Sequence, residues 1–166
     1  YETWHEHHLQ DLPHIKFCGR FALGQMHQNP PRYWLREQPA GNGLDSIDPW
    51  IEVITDPEVL FLNFDQCMVD QRDEYGIPVQ KRTELAATHV HLLIPFVNRQ
   101  CDGSHMHATP TGAHLKAMQV YPWKMCELIM DGVEAIKLKK PIPPQYQFDT
   151  DDVCAICLPD VRGSAN

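Results

Sequence analysis

Positive charge is scarce in this 166-residue chain: 14 Lys and Arg stand against 22 Asp and Glu, a net charge of −8. A general phosphate-binding surface needs clustered cations, so that balance argues against broad coating of nucleic acid. The cations gather once, at "KLKK" (Lys137 to Lys140), and a helix C-terminus favoured by the macrodipole explains that run better than phosphate contact. Long apolar runs are missing too. No stretch reaches the roughly eighteen residues of a membrane-spanning helix, and the opening "YETWHEHHLQ" is polar, without a signal-peptide pattern or an initiator Met. It reads as a segment of a longer polypeptide. No P-loop, G-x-G-x-x-G or G-x-S-x-G occurs, which removes the common nucleotide and serine-hydrolase signatures. No internal repeat is present. The six cysteines are scattered rather than regularly spaced, which suits reduced thiols or metal ligation in an intracellular setting better than a disulfide scaffold.

What is there fits one domain with a hydrophobic core. Residues 14–27 place Ile15, Cys18, Ala22 and Met26 on one helical face, with Pro13 near the start. "RYWLREQP" is a short strand stopped by Pro39, and Asp48 reads as an N-cap with Pro49 at the first helical position. "VLFLNF" has the continuous apolar character of a strand covered on both faces, and "TELAATHVHLLIPFV" reads as a longer second strand. Pro122 opens the best helix, with Cys126, Ile129, Met130, Val133 and Ile136 as its apolar stripe. The order predicts an α/β domain over residues 1–137 whose last two strands pair antiparallel, carrying a zinc-type loop at 101–126. A Pro-rich linker and C-terminal tail follow over 138–166.

The loop "CDGSHMHATPTG" (101–112) carries the chemistry. Thiolate and neutral imidazole are the preferred ligands of zinc, and a tetrahedral site needs four. Cys101, His105 and His107 supply three, with Gly103 letting the chain turn between them. Cys126, in the first turns of the following helix, is the preferred fourth. Cys67 is the alternative, but a hairpin of residues 59–66 with 82–94 would leave it at the far end from Cys101. A solvated loop, with Cys126 as a small buried hydrophobe, is the competing reading. His89 and His91 would share one face of a strand, where they are explained better as a polar face than as metal ligands. "HEHH" (5–8) reads as an exposed cluster, and His114 carries no signal. Cys154 and Cys157 form one C-x-x-C with no later pairs, which excludes a complete RING finger and favours a flexible tail. For acid–base work the candidates are Glu37 and Asp65, both near strand ends, where solvated carboxylates are also common.

The series "RYWLREQPAGNGLDSIDPW", "FDQCMVD", "GIPVQKRT", "CDGSHMH" and "VYPWKMCELI" resembles a domain of copia-type retroelement polyproteins, over about residues 14–136. In that family the "REQP" position is usually a His-Glu-His-Pro tetrad. With an upstream Pro-Pro-Cys segment, it is similar to DNA cytosine methyltransferases, which have a class I Rossmann-like fold. "YGIPVQKR" is likewise similar to a Tyr-Gly-Val-Pro-Gln-x-Arg segment of those enzymes. The resemblance implies a partial Rossmann-like sheet with flanking helices, and it matches Glu37 to the glutamate that contacts the target cytosine. The departures are equally plain. The sequence contains no Pro-Cys nucleophile and no glycine-rich cofactor loop, and Arg36 and Gln38 replace both family histidines.

Three functions follow. The first is a non-catalytic, zinc-stabilised binding or assembly module of retroelement origin. Its partner is a protein or a second copy; a nucleic-acid target stays open, and no membrane is involved. The second is a metal-dependent hydrolase or nuclease, with Cys101, His105 and His107 holding the metal and Glu37 or Asp65 as base. The third is half of a methyltransferase-like enzyme needing another chain. The first is preferred, because four protein ligands would explain the cysteine and histidines without requiring a reaction. Whether the chain is an enzyme stays open at this level.

Overall fold

The computed structural model describes residues 2–41, 43–108 and 120–146, with the backbone alone for residues 2–10 and Leu44. A long helix, α1 (Glu2–Met26), opens the chain and runs through Pro13 rather than starting after it. Its second half behaves as its apolar spacing requires. Ala22 is buried, and Ile15, Cys18, Leu23 and Met26 pack around Trp34, Trp50 and Val53.

Three short strands follow: β1 (Leu35–Pro39), β2 (Leu60–Asp65) and β3 (Arg82–Ala87). They form one sheet in the order β1-β3-β2, and both pairings are antiparallel. A five-residue helix, α2 (Trp50–Ile54), lies between β1 and β2 in the chain, with Pro49 rather than Asp48 at the cap position. The expected antiparallel pairing of the last two strands is present, and the fold is α/β. Rossmann-like character, which would need parallel neighbours, is not shown by this sheet.

The sheet is covered on both faces, and strand register says by what. Leu62 and Leu35 lie opposite Leu85 and Ala87, respectively, and this face meets helix α3 (Trp123–Lys137) through Met125 and Leu128. Phe61 and Arg36 flank Ala86 on the other face, which meets α1 and α2. There the Arg36 guanidinium sits 4.5 Å over the Trp50 ring and pairs with Asp45 at 2.6 Å and Glu84 at 3.3 Å. A half-buried cation is thus neutralised on two sides and stacked on a third.

Two expectations need correction. The inward stripe of α3 is Met125, Leu128 and Gly132, flanked by Ile129, Val133 and Ile136, while Met130 is 59% exposed. The long second strand ends at Ala87. Beyond it the chain folds into two 3-10 turns, Val90–Leu92 and Ile94–Phe96. The reason is apolar packing: Leu92, Leu93 and Phe96 insert into the same core as Phe64 and Met125, with the Phe64 and Phe96 rings 5.0 Å apart. A continuing strand would place alternate residues of this run on opposite faces.

The turn also redefines the histidine pair. His89 caps the first 3-10 turn, its Nδ1 accepting the His91 backbone N–H at 3.2 Å. The two rings stack at 5.2 Å, and buried His91 donates from Nε2 to the Lys140 carbonyl at 2.9 Å. The pair therefore ties the residues after α3 back to the core. The "HEHH" side chains, His114, Cys154, Cys157 and the tail from residue 147 lie outside the described residues.

Candidate metal centre

The centre begins where β2 ends. After Asp65 the chain enters a 3-10 turn, Gln66–Val69, closed by Asp70 in the left-handed region at φ 67°. Gln66 N–H donates to the Lys81 carbonyl at 3.0 Å, and buried Gln66 Nε2 donates to Thr83 Oγ1 at the same distance. This anchors the turn to the start of β3 and fixes Cys67 within it.

The reversal after β3 delivers the other ligands. Residues 88–100 return along the sheet, so that Asp65 N–H donates to the Arg99 carbonyl at 3.0 Å. One carboxylate oxygen of Asp65, Oδ2, then accepts the Cys101 N–H at 2.8 Å. Arg99 ties the same region from the side. It donates through Nε to the Pro95 carbonyl at 2.8 Å and through a terminal nitrogen to the Met68 carbonyl at 3.2 Å, beside Cys67. Gly103, at φ 76°, turns the loop, and its N–H donates to Cys101 Sγ at 3.3 Å. Ser104 donates its backbone N–H to Asp102 at 2.9 Å, and hydrogen bonds from Ser104 hold the Asp102 carboxyl below its usual range. At the far end Ala108 N–H donates to the Pro78 carbonyl at 2.9 Å.

These constraints bring Cys67, Cys101, His105 and His107 together, with one ligand atom from each within 4.8 Å of every other. Cys101 Sγ lies 3.8 Å from His105 Nε2 and 3.4 Å from His107 Nε2, and the two rings meet edge-on at 4.6 Å. A tetrahedral zinc with bonds of about 2.0–2.3 Å places its ligand atoms about 3.3–3.8 Å apart. Those two contacts already have that separation, so the donor set could hold a metal ion.

The local electrostatics point the same way. Burial pushes the Cys67 thiol up to about 12, helped by the Cys101 thiol and the charge of Asp65. Asp65 Oδ1 is also buried with no donor among the described residues. A divalent cation reverses both penalties, since it stabilises thiolates outright and offsets a buried carboxylate.

The fourth residue of the cluster is Cys67, and the expected Cys126 is not among the four. Cys126 lies on α3, half-buried and outside this group. Cys67 is not left at the far end from Cys101, because the second strand does not continue to residue 94. With the strand ending at Ala87, the chain returns to the end of β2 that carries Cys67.

The two candidate bases are placed differently. Asp65 touches the loop, but with its carboxylate engaged by a backbone N–H. Glu37, on β1, accepts from Tyr121 Oη at 2.8 Å and Gln66 Nε2 at 3.3 Å, and pairs with Lys81 at 3.5 Å. Burial and the Glu37 carboxylate together raise the Tyr121 phenol above its usual range. Among the described residues Glu37 is therefore joined to the cluster through Gln66, the neighbour of Cys67. Gln66, Arg99 and Tyr121 carry no signal in the sequence, because each acts through a partner distant in the chain. Among the described residues no helix is long and apolar enough to cross a membrane. No protein-family model, curated protein or solved structure matches the chain.

Proposed function

We propose that this chain is a non-catalytic binding or assembly module stabilised by zinc at Cys67, Cys101, His105 and His107. The supporting observation is the closed donor set, two thiols and two imidazoles within 4.8 Å of one another. A structural zinc is enclosed by four protein ligands, whereas a catalytic zinc keeps a position open for water. The ligands come from a 3-10 turn and a loop that no strand pairing holds, so the ion would staple two segments that are 34 residues apart or more. The hydrolase reading is weaker on the same ground. With Cys67 as fourth ligand no site for activated water remains, and Glu37 is committed to Tyr121, Gln66 and Lys81.

The resemblance to copia-type retroelement domains supports a binding role, because the sequence lacks the nucleophile and cofactor segments of the methyltransferase-like enzymes. Origin in such a polyprotein is part of the proposal. The partner is a protein or a second copy of the chain.

Elemental analysis of the purified chain tests the reading, together with thermal melting in the presence and absence of a zinc chelator. One zinc per chain and a melting temperature lowered by chelator are expected. No metal after refolding with zinc, with melting unchanged in chelator, overturns the proposal. Hydrolysis of a nuclease substrate by the zinc-loaded chain would favour the hydrolase reading, and binding of S-adenosylmethionine the methyltransferase half.

A further inference from the structure

Among the described residues the donor set contains two thiols. Both belong to one pair, since Cys67 Sγ and Cys101 Sγ lie within 4.8 Å of each other. The other described cysteines, Cys18 on α1 and Cys126 on α3, are outside the cluster. The two partners also differ in access. Cys67 is buried in a turn anchored on the sheet, while Cys101 is half-buried and followed by exposed Asp102, Gly103 and Ser104. An accessible thiol beside a buried one is the arrangement of an attacked cysteine and its resolving partner.

We propose that Cys67 and Cys101 form an oxidisable dithiol, in which a peroxide closes a disulfide between them and expels the metal. The proposal rests on the zinc reading and adds the regulation of that site. Cys101 thiolate attacks one peroxide oxygen; the O–O bond breaks, and Cys101 becomes a sulfenic acid as hydroxide leaves. Cys67 thiolate then attacks the Cys101 sulfur, the S–S bond forms, and a second hydroxide leaves. Two electrons pass from the two sulfurs to hydrogen peroxide, and two protons from solvent complete two waters. His105 and His107 alone remain as donors, half of what a closed tetrahedral zinc requires, so the ion is released. A disulfide needs sulfurs about 2.05 Å apart, so Cys101 must shift toward Cys67; the residues after it, which turn at Gly103, are exposed and take up that shift.

The test loads the reduced 166-residue chain with zinc and titrates it with hydrogen peroxide. Zinc release is followed with a chromogenic chelator, and the thiols are mapped by peptide mass spectrometry. One zinc released per Cys67–Cys101 disulfide, with rebinding after dithiothreitol and fresh zinc, is expected. Zinc release with Cys101 carried to sulfinic acid, or paired with Cys18, Cys126, Cys154 or Cys157, overturns the proposal. So do two thiols that survive peroxide unchanged. A chain that takes up no zinc overturns the metal reading instead, and its peptide map after peroxide still decides whether Cys67 and Cys101 pair.

Discussion

Asp65 and Cys101 are 36 residues apart in sequence, yet one carboxylate oxygen of Asp65 accepts the Cys101 backbone N–H at 2.8 Å. The Asp65 N–H, in turn, donates to the Arg99 carbonyl at 3.0 Å. In the proposed zinc site Asp65 would thus position the first donor of the loop without being one of the four. Removing such a neighbour of a metal ligand typically lowers affinity about 10–100-fold. Asp65→Ala should therefore weaken zinc binding by that factor in a competition titration against a calibrated chelator, with stoichiometry kept at saturating zinc. Unchanged affinity would sink the assignment of Asp65 as a positioning residue.

Cys67 and Cys126 make opposite predictions. Cys67→Ser removes a donor from the cluster and should reduce bound zinc well below one equivalent and lower the melting temperature. Cys126→Ser, on α3 outside the cluster, should leave zinc content unchanged. Elemental analysis of the two purified variants separates them, and loss of zinc from the Cys126 variant would restore the helix as the source of the fourth ligand.

Gly132 tests how closely α3 approaches the 3-10 turns. A Cβ built there meets the His91 carbonyl oxygen at 2.6 Å and Leu92 Cα at 3.0 Å. Both are backbone atoms that no rotamer change can move aside. Ala in a helix interior gains up to about 1 kcal/mol over Gly, but overpacking a filled contact typically costs about 1–3 kcal/mol. Gly132→Ala should therefore destabilise the domain on balance, read as a lower denaturant midpoint at unchanged slope. A more stable variant would show that α3 shifts freely.

Acid sensitivity should have a contribution from His89. Burial, and secondarily the neighbouring His91 charge, hold the His89 pKa below its ordinary value of 6.5. The folded state therefore binds fewer protons there than the unfolded chain. The corresponding stability is present above about pH 6.5 and is lost as pH falls through the lowered folded value. His89→Asn keeps a side-chain acceptor for the His91 N–H, since Asn is a good cap, and removes the titration. Measured on metal-free protein between pH 7 and 5, the variant should lose less melting temperature than the parent. Identical slopes would remove His89 from the account.

Much of this protein is legible in local sequence because its causes are local. The second half of α1, the strand stopped at Pro39, the doubly covered β2 and the helix after Pro122 follow from apolar spacing and proline geometry. So do three of the four donors, which occupy seven consecutive positions of one loop. The fourth was decided by tertiary structure. In "THVHLLIPFV" a strand and a pair of 3-10 turns expose nearly the same local preferences. What separates them is the burial of Leu92, Leu93 and Phe96 against Phe64 and Met125, partners 28 or more residues away. That packing turns the chain back, returns Cys101 to Asp65 and makes Cys67 its neighbour. Composition and spacing therefore determined that this chain has the donors for a metal site. Which donors meet was settled by long-range apolar packing, because a reversal in chain direction depends on contacts that no sequence window contains.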